Sequence, residues 1–213
     1  MANTHVLHLV ADQGDLAAAL RGGVDAVQVR NKSLPAADLL AAARAAAPLC
    51  RAAGALLLIN DRIDVALLCG ADGVHLAGRS LPPADARRIF PRLLGLSVHD
   101  VAGARDAAAA GVDYVTFGHV FPTGSKPGLP PQGLRALRSV VEAVEIPVLA
   151  IGGISPDNAP DVLATGCAGV AVISSILAAG DPEAAARRLR AALDACRAIP
   201  RKELRQRAAA DQR

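Results

Sequence analysis

The run Phe117-Gly118-His119-Val120-Phe121-Pro122-Thr123-Gly124-Ser125-Lys126-Pro127-Gly128 places an imidazole, two hydroxyls and an ammonium in one short stretch dense in Gly and Pro. An imidazole is the side chain that exchanges protons near neutral pH, which makes His119 the candidate proton-transfer residue. Thr123, Ser125 and Lys126 are donors suited to phosphate oxygens. A loop this long without periodicity of its own points to a functional segment.

Other polar groups gather at the ends of apolar runs. In Gln28-Val29-Arg30-Asn31-Lys32, alternation sends Gln28, Arg30 and Lys32 to one side, where two cations suit a phosphate or pyrophosphate; a surface loop that happens to be basic is the alternative. Asn60-Asp61-Arg62 directly follows Leu56 to Ile59, and Asp61 suits either a Mg²⁺ ligand or a cap on the next helix. His75, at the end of another run, and His99, after Ser97-Val98, read as structural supports rather than catalysts. Gly152-Gly153 and Ser174-Ser175 close two further runs, and glycines there let the backbone approach a ligand.

Composition narrows the classes. The 213 residues are 52% hydrophobic and 20% charged, which suits one domain with a full core. The net charge of +3 owes much to Arg201, Lys202, Arg205, Arg207 and Arg213, read as a solvated basic tail over 199–213 that need not be ordered. Aromatics are only 2%, and with neither a helix-turn-helix nor a basic stripe no nucleic-acid partner is expected. Cys50, Cys69, Cys167 and Cys196 lie far apart, without metal spacing, and read as small buried hydrophobes. No membrane-length apolar run and no leader pattern occurs, so a reduced, cytoplasmic protein is expected.

The elements that must position these groups alternate. Short runs rich in Val, Ile and Leu, near 5–10, 25–30, 56–60, 73–76, 94–98, 114–118, 147–151 and 169–173, are separated by Ala-rich helical patterns. Pro35 to Ala53 is one such helix; Ser155 to Thr165 is another, with Ser155 as its cap and Pro156 at its first position, and Gly54 and Gly166 as the stops. A repeat begins at Gly23-Val24-Asp25, Gly70-Ala71-Asp72, Gly111-Val112-Asp113 and Gly166-Cys167-Ala168, about 40 to 55 residues apart, which suits two β-α units each. Eight units close into an α/β fold, the (β/α)8 TIM barrel, as a single domain over 1–198 with its chemistry at the strand C-terminal ends. An open doubly wound sheet is the alternative, weakened by the lack of GxGxxG in the first β-α turn. In the barrel, backbone N–H groups after strands 7 and 8 form a phosphate cup, so a phosphorylated small molecule is expected.

Together, Leu7 to Asp12, the Gln28/Arg30/Lys32 trio, Asn60-Asp61-Arg62, Gly73-Val74-His75-Leu76, Gly95-Leu96-Ser97, Phe121 to Lys126 and Ile151-Gly152-Gly153-Ile154 resemble the thiamine phosphate synthase superfamily, in order from about residue 7 to 197. For a synthase, the resemblance implies that Gln28 holds the aminopyrimidine, that Arg30, Lys32, Ser97, Thr123, Ser125 and Lys126 hold pyrophosphate, and that Asn60 and Asp61 hold its Mg²⁺ unit. Gly153 and Ser174, with Gly152 and Ser175 beside them, take the thiazole phosphate. Two departures weigh against that member. Ser80 stands where the synthase pattern has a second Mg²⁺-binding aspartate, and Gly118-His119-Val120 stands where it reads Gly-Pro-Ile or Gly-Pro-Val. A histidine there resembles the thiazole tautomerases, so the leading expectation is a tautomerase. His119 would move the proton of a carboxythiazole phosphate, with no metal or cofactor. The synthase, with Mg²⁺ at Asp61, is the first alternative, and a non-catalytic thiamine-phosphate-related binder the second. The resemblance also implies a homodimer or higher homo-oligomer.

Overall fold

Eight apolar runs become eight parallel strands because each is covered on both faces, by helices outside and by its neighbours' side chains inside. The computed structural model describes residues 5–12, 14–78 and 80–196. The strands are β1 (Val6–Ala11), β2 (Ala26–Val29), β3 (Leu56–Asn60), β4 (Gly73–Leu76), β5 (Leu93–Val98), β6 (Tyr114–Gly118), β7 (Val148–Ile151) and β8 (Gly169–Val172). They pair in sequence order into a closed barrel, the seam formed where Val6 of β1 stands beside Gly169 of β8. Gly169 is required there: a Cβ would lie 2.2 Å from the Val6 carbonyl oxygen. The TIM-barrel expectation therefore holds over the described residues. The basic tail over 199–213 lies outside them, and among the described residues no helix is long and apolar enough to cross a membrane.

The helices follow the sequence less closely than the strands do. α1 (Leu16–Arg21) is capped by Asp15, whose carboxylate accepts from the Ala18 N–H at 2.9 Å. α2 (Ala36–Ala53) starts directly after Pro35 and ends at Gly54, in the left-handed region at φ 68°. α3 (Ile63–Cys69), α4 (Pro83–Ile89), α5 (Val101–Ala109) and α6 (Gly133–Ala143) follow. α7 runs only over Ala159–Leu163, shorter than the expected Ser155 to Thr165. The reason is Asn158, whose side chain accepts from the Ser155 N–H at 2.9 Å and donates to the Gly153 carbonyl at 2.9 Å. Ser155 and Pro156 thus belong to a turn, and neither is a cap or a first helical residue. α8 (Ser174–Leu177) and α9 (Pro182–Asp194) complete the chain.

The aspartates of the repeat explain its recurrence. The Asp25 carboxylate accepts from the Leu7 N–H, Asp72 from Leu57 and Asp113 from Leu94, at 2.7 to 2.8 Å. The same three residues donate their own N–H groups to the Leu7, Leu57 and Leu94 carbonyls. Each helix-Gly-strand turn therefore clamps the foot of the preceding strand, which orients the pair toward the opposite end of the barrel.

Inside, Ala26, Leu58, Leu93, Tyr114 and Leu149 form an apolar floor. Above it stands a buried polar layer of His8, Gln28, His75 and Thr116, and above that opens the cavity. Cys50 and Cys167 are buried among apolar neighbours, as expected for small hydrophobes, and burial pushes both thiols up to about 11. Cys69 and Cys196 are half-buried, and all four are free.

Candidate active site

A cavity of about 470 Å³ opens at the C-terminal ends of the strands. It collects nearly every residue singled out above: Gln28, Arg30 and Lys32 from β2 and its loop, Asn60 from β3, and Ser97 from β5. His119, Thr123, Ser125 and Lys126 come from the loop after β6, and Gly152, Gly153, Ser174 and Ser175 from the loops after β7 and β8. Closure accounts for this convergence of residues scattered over more than half the chain: parallel strands in one ring end on one rim.

The cationic side is built by the alternation expected of strand β2. Arg30 and Lys32 face the cavity, while Asn31 between them turns away. Its side-chain oxygen accepts from the Ser33 and Leu34 N–H groups at 2.9 and 3.0 Å, and its amide donates to Asp12. The turn is thereby held by the residue that does not face the ligand.

From Gln28 a chain of hydrogen bonds runs toward the rim. The Gln28 amide donates to the Asn60 side-chain oxygen at 2.7 Å, and the Asn60 amide donates to Asp61 Oδ2 at 2.6 Å. Asp61 Oδ1 accepts from the Ala77 N–H at 3.0 Å and from the Ser80 hydroxyl. Asp61 sits at φ 60°, a conformation uncommon for a residue with a Cβ, and this set of donors holds it there. It caps no helix: the residue preceding α3 is Arg62, which makes no side-chain cap bond.

Among the described residues no three His, Cys, Asp or Glu side chains lie close enough to hold a metal by themselves. A single carboxylate nonetheless fits Mg²⁺, which keeps waters and commonly takes one or two carboxylates together with substrate phosphate oxygens. Asp61 would be that carboxylate: it stands outside the cavity lining, next to Asn60, with its oxygens accepting from Asn60, Ala77 and Ser80, so holding an ion would mean exchanging part of this set.

The loop after β6 is braced from several sides. Val120 and Phe121 donate to the Ile151 and Gly152 carbonyls at 3.0 Å, prolonging the β6 to β7 ladder. The Gly118 carbonyl accepts from His99 Nδ1 at 2.8 Å and from the Gln132 amide at 3.2 Å. His119 Nε2 donates to the Leu129 carbonyl at 3.2 Å, and the residue is 6% exposed. Gly152 and Gly153 are required by this packing as well as by their positive φ of 103° and 67°: added Cβ atoms would meet the His119 Cβ and the Pro122 carbonyl, both at 2.4 Å. On the far rim, the Ser175 hydroxyl donates to the Ile154 carbonyl at 2.8 Å.

Sequence reasoning passed over Tyr114 and Thr116. The signal was available, since period two from Gly118 places Thr116 and Tyr114 on the inner face. His75 joins them, as the supporting residue it was expected to be. Its Nδ1 lies 2.9 Å from the Tyr114 hydroxyl and its Nε2 2.9 Å from Ser97 Oγ. Burial, with smaller contributions from His8 and Arg30, pushes the His75 imidazole down to about 3, so the ring is neutral.

Comparison with known proteins gives one consistent result. A family model described as thiamine monophosphate synthase matches residues 9–176. The thiamine-phosphate synthase of Methanoculleus marisnigri is 50% identical over 190 residues, covering 88% of this chain and 89% of that one. The thiamine-phosphate synthase of Roseiflexus castenholzii is 50% identical over 175 residues, 81% of this chain and 77% of its own. The crystallised thiamine phosphate pyrophosphorylase from Pyrococcus furiosus superposes with a TM-score of 0.84 at 38% identity, covering 90% and 96% of the two chains.

These findings overturn the expectation of a thiazole tautomerase: relatives this similar carry the synthase name, and nothing in the comparisons points to the tautomerase branch. The proton-transfer role expected of His119 falls with it. The ring also has no exposed nitrogen to offer a substrate: Nε2 is bonded to the Leu129 carbonyl and Nδ1 is buried.

Proposed function

The chain belongs to the thiamine monophosphate synthase family, and on that footing we propose that it is a thiamine-phosphate synthase. It is a transferase that joins a pyrimidine carried as its diphosphate to a thiazole phosphate, giving thiamine phosphate and pyrophosphate. The observation that carries this reading is the charge in the cavity. Three cations from two separate strand ends, Arg30 and Lys32 after β2 and Lys126 after β6, line one space, more positive charge than a lone phosphate monoester calls for and suited to a leaving pyrophosphate.

In the mechanism, Gln28 and Asn60 hold the aminopyrimidine at the cavity floor, their amides fixed in orientation by the bond between them. Arg30, Lys32 and Lys126, with the hydroxyls of Ser97, Thr123 and Ser125, hold the diphosphate. The bond between the pyrimidine methylene carbon and the bridging oxygen breaks, and its electron pair leaves with pyrophosphate. The cations stabilise the charge that develops on that oxygen. The thiazole nitrogen then donates its lone pair to the methylene carbon. Gly152, Gly153, Ser174 and Ser175 hold the thiazole phosphate on the opposite rim, aligning the nucleophile for direct attack. Asp61 is the carboxylate that would hold Mg²⁺, and the ion, when bound, would supply further neutralisation of the leaving group.

The test is direct. Purified protein incubated with the pyrimidine diphosphate, the thiazole phosphate and Mg²⁺ is expected to release thiamine phosphate and pyrophosphate in equal amounts, followed by chromatography and a phosphate assay. Failure to form thiamine phosphate while the phosphorylated substrates bind would overturn the reading.

A further inference from the structure

The buried cluster beneath Ser97 has a direction, set by its deepest member. Tyr114 is fully buried, and its hydroxyl lies 2.9 Å from His75 Nδ1. Gly95 makes room for it: a Cβ at that position would come within 2.2 Å of the phenol ring. A buried phenolic O–H must find an acceptor, and His75 Nδ1 is the hydrogen-bond partner it has among the described residues. Tyr114 therefore donates, Nδ1 receives with its lone pair, and the one proton of a neutral imidazole is confined to Nε2.

That proton lies on the side of Ser97 and Thr116, with Nε2 2.9 Å from Ser97 Oγ and 3.3 Å from Thr116 Oγ1, the shorter contact being to Ser97. Thr116 also donates to Ser97 Oγ, at 3.2 Å. With both lone pairs of Ser97 engaged, its own O–H is left to donate, and Ser97 lines the cavity. The reverse arrangement is disfavoured because it strands the buried phenol proton without an acceptor. A serine left to rotate would present a lone pair to an anion as readily as a proton.

We infer that Tyr114 and His75 are positioning residues that form a one-way donor relay, fixing Ser97 as a hydrogen-bond donor toward an anionic oxygen of the bound diphosphate. The inference rests on the synthase reading for the identity of that anion, and on the hydrogen-bond geometry alone for the direction of the relay. Burial keeps the His75 ring neutral through the range in which proteins of this kind are handled, so the tautomer persists without a protonation step.

Two measurements test it. Nitrogen-15 NMR of histidine-labelled protein at neutral pH, with the His75 signals assigned by their loss in His75→Gln, is expected to show Nε2 protonated and Nδ1 bare; the opposite tautomer overturns the relay. Calorimetric titration with inorganic pyrophosphate and Mg²⁺ forms a double-mutant cycle. Tyr114→Phe is expected to weaken pyrophosphate binding about fivefold in the parent protein and to have no further effect in Ser97→Ala, because the lost hydroxyl acts only through Ser97. Equal losses in both backgrounds overturn the relay, since Tyr114 would then act through packing. Pyrophosphate that fails to bind the unsubstituted protein overturns the synthase reading and the anionic end of the relay, and a protonated Nε2 in the same sample tells that failure apart from a reversed relay.

Discussion

Asp61 has Ser80 at its side where a second carboxylate would complete a stronger cation site, and the two already share a hydrogen bond. A neutral hydroxyl contributes little to binding a hard dication, whereas a carboxylate contributes a full charge. Ser80→Asp is therefore expected to raise the affinity for Mn²⁺, used as a spectroscopic substitute for Mg²⁺, by about tenfold in the presence of pyrophosphate. The gain is read by electron paramagnetic resonance titration of free Mn²⁺. Asp61→Asn is expected to lower the same affinity in the parent protein by at least as much. Unchanged Mn²⁺ binding in Ser80→Asp would mean that positions 61 and 80 do not face one ion, despite their contact. At this scale Lys126 differs from Asp61 in kind. It sits in a loop whose internal bonds are few, Lys126 N–H to the Thr123 carbonyl at 3.1 Å being one, whereas Asp61 is held by donors from three residues.

Between strands, the requirement is space inside the ring. β5 and β6 pair with Gly95 beside Tyr114, and the phenol occupies the volume a side chain at 95 would need. Gly95→Ala is expected to destabilise the protein by about 1 to 3 kcal/mol, the usual cost of forcing extra volume into a packed interior. Urea unfolding would show the loss, and the displaced phenol would also release His75; an unchanged midpoint would mean that the floor is looser than its packing indicates. The strands themselves were legible in the sequence because burial on both faces writes continuous apolar runs. The space at Gly95 was not, since a glycine inside a strand announces a close approach without naming the ring that makes it. α7 was misread for a similar reason. Ser155-Pro156 carries a good start signal, but Asn158 competes by bonding back to the turn, a contest that local pattern does not reveal. The repeat was visible as a count of units; that its aspartates clamp strand feet emerged only from the bonds to Leu7, Leu57 and Leu94.

For the whole molecule, closure explains both what could be read and what the fold must tolerate. The candidate site was largely legible because any eight-stranded ring brings its strand ends together, so Arg30, Lys126 and Gly153 need share only a position, not a sequence neighbourhood. The same closure shuts His8 of β1 inside, facing Gln28 from β2, His75 from β4 and Tyr114 from β6. Burial pushes His8 down to about 4 from an ordinary 6.5, against a smaller upward pull from Gln28. The unfolded chain therefore takes up this proton at higher pH than the folded one, so more protons are bound when unfolded and stability rises with pH. The contribution is complete above the unfolded value and is lost as pH falls toward the folded one. From pH 7 to pH 5 the loss from His8 alone is on the order of 2 kcal/mol. His5, also shifted down chiefly by burial, acts in the same direction. Urea midpoints at the two pH values, compared with His8→Leu, which keeps an apolar group of similar reach, isolate the effect. The substituted protein is expected to lose distinctly less stability on acidification; an identical drop in both would place the proton uptake elsewhere and would mean that water reaches the barrel floor.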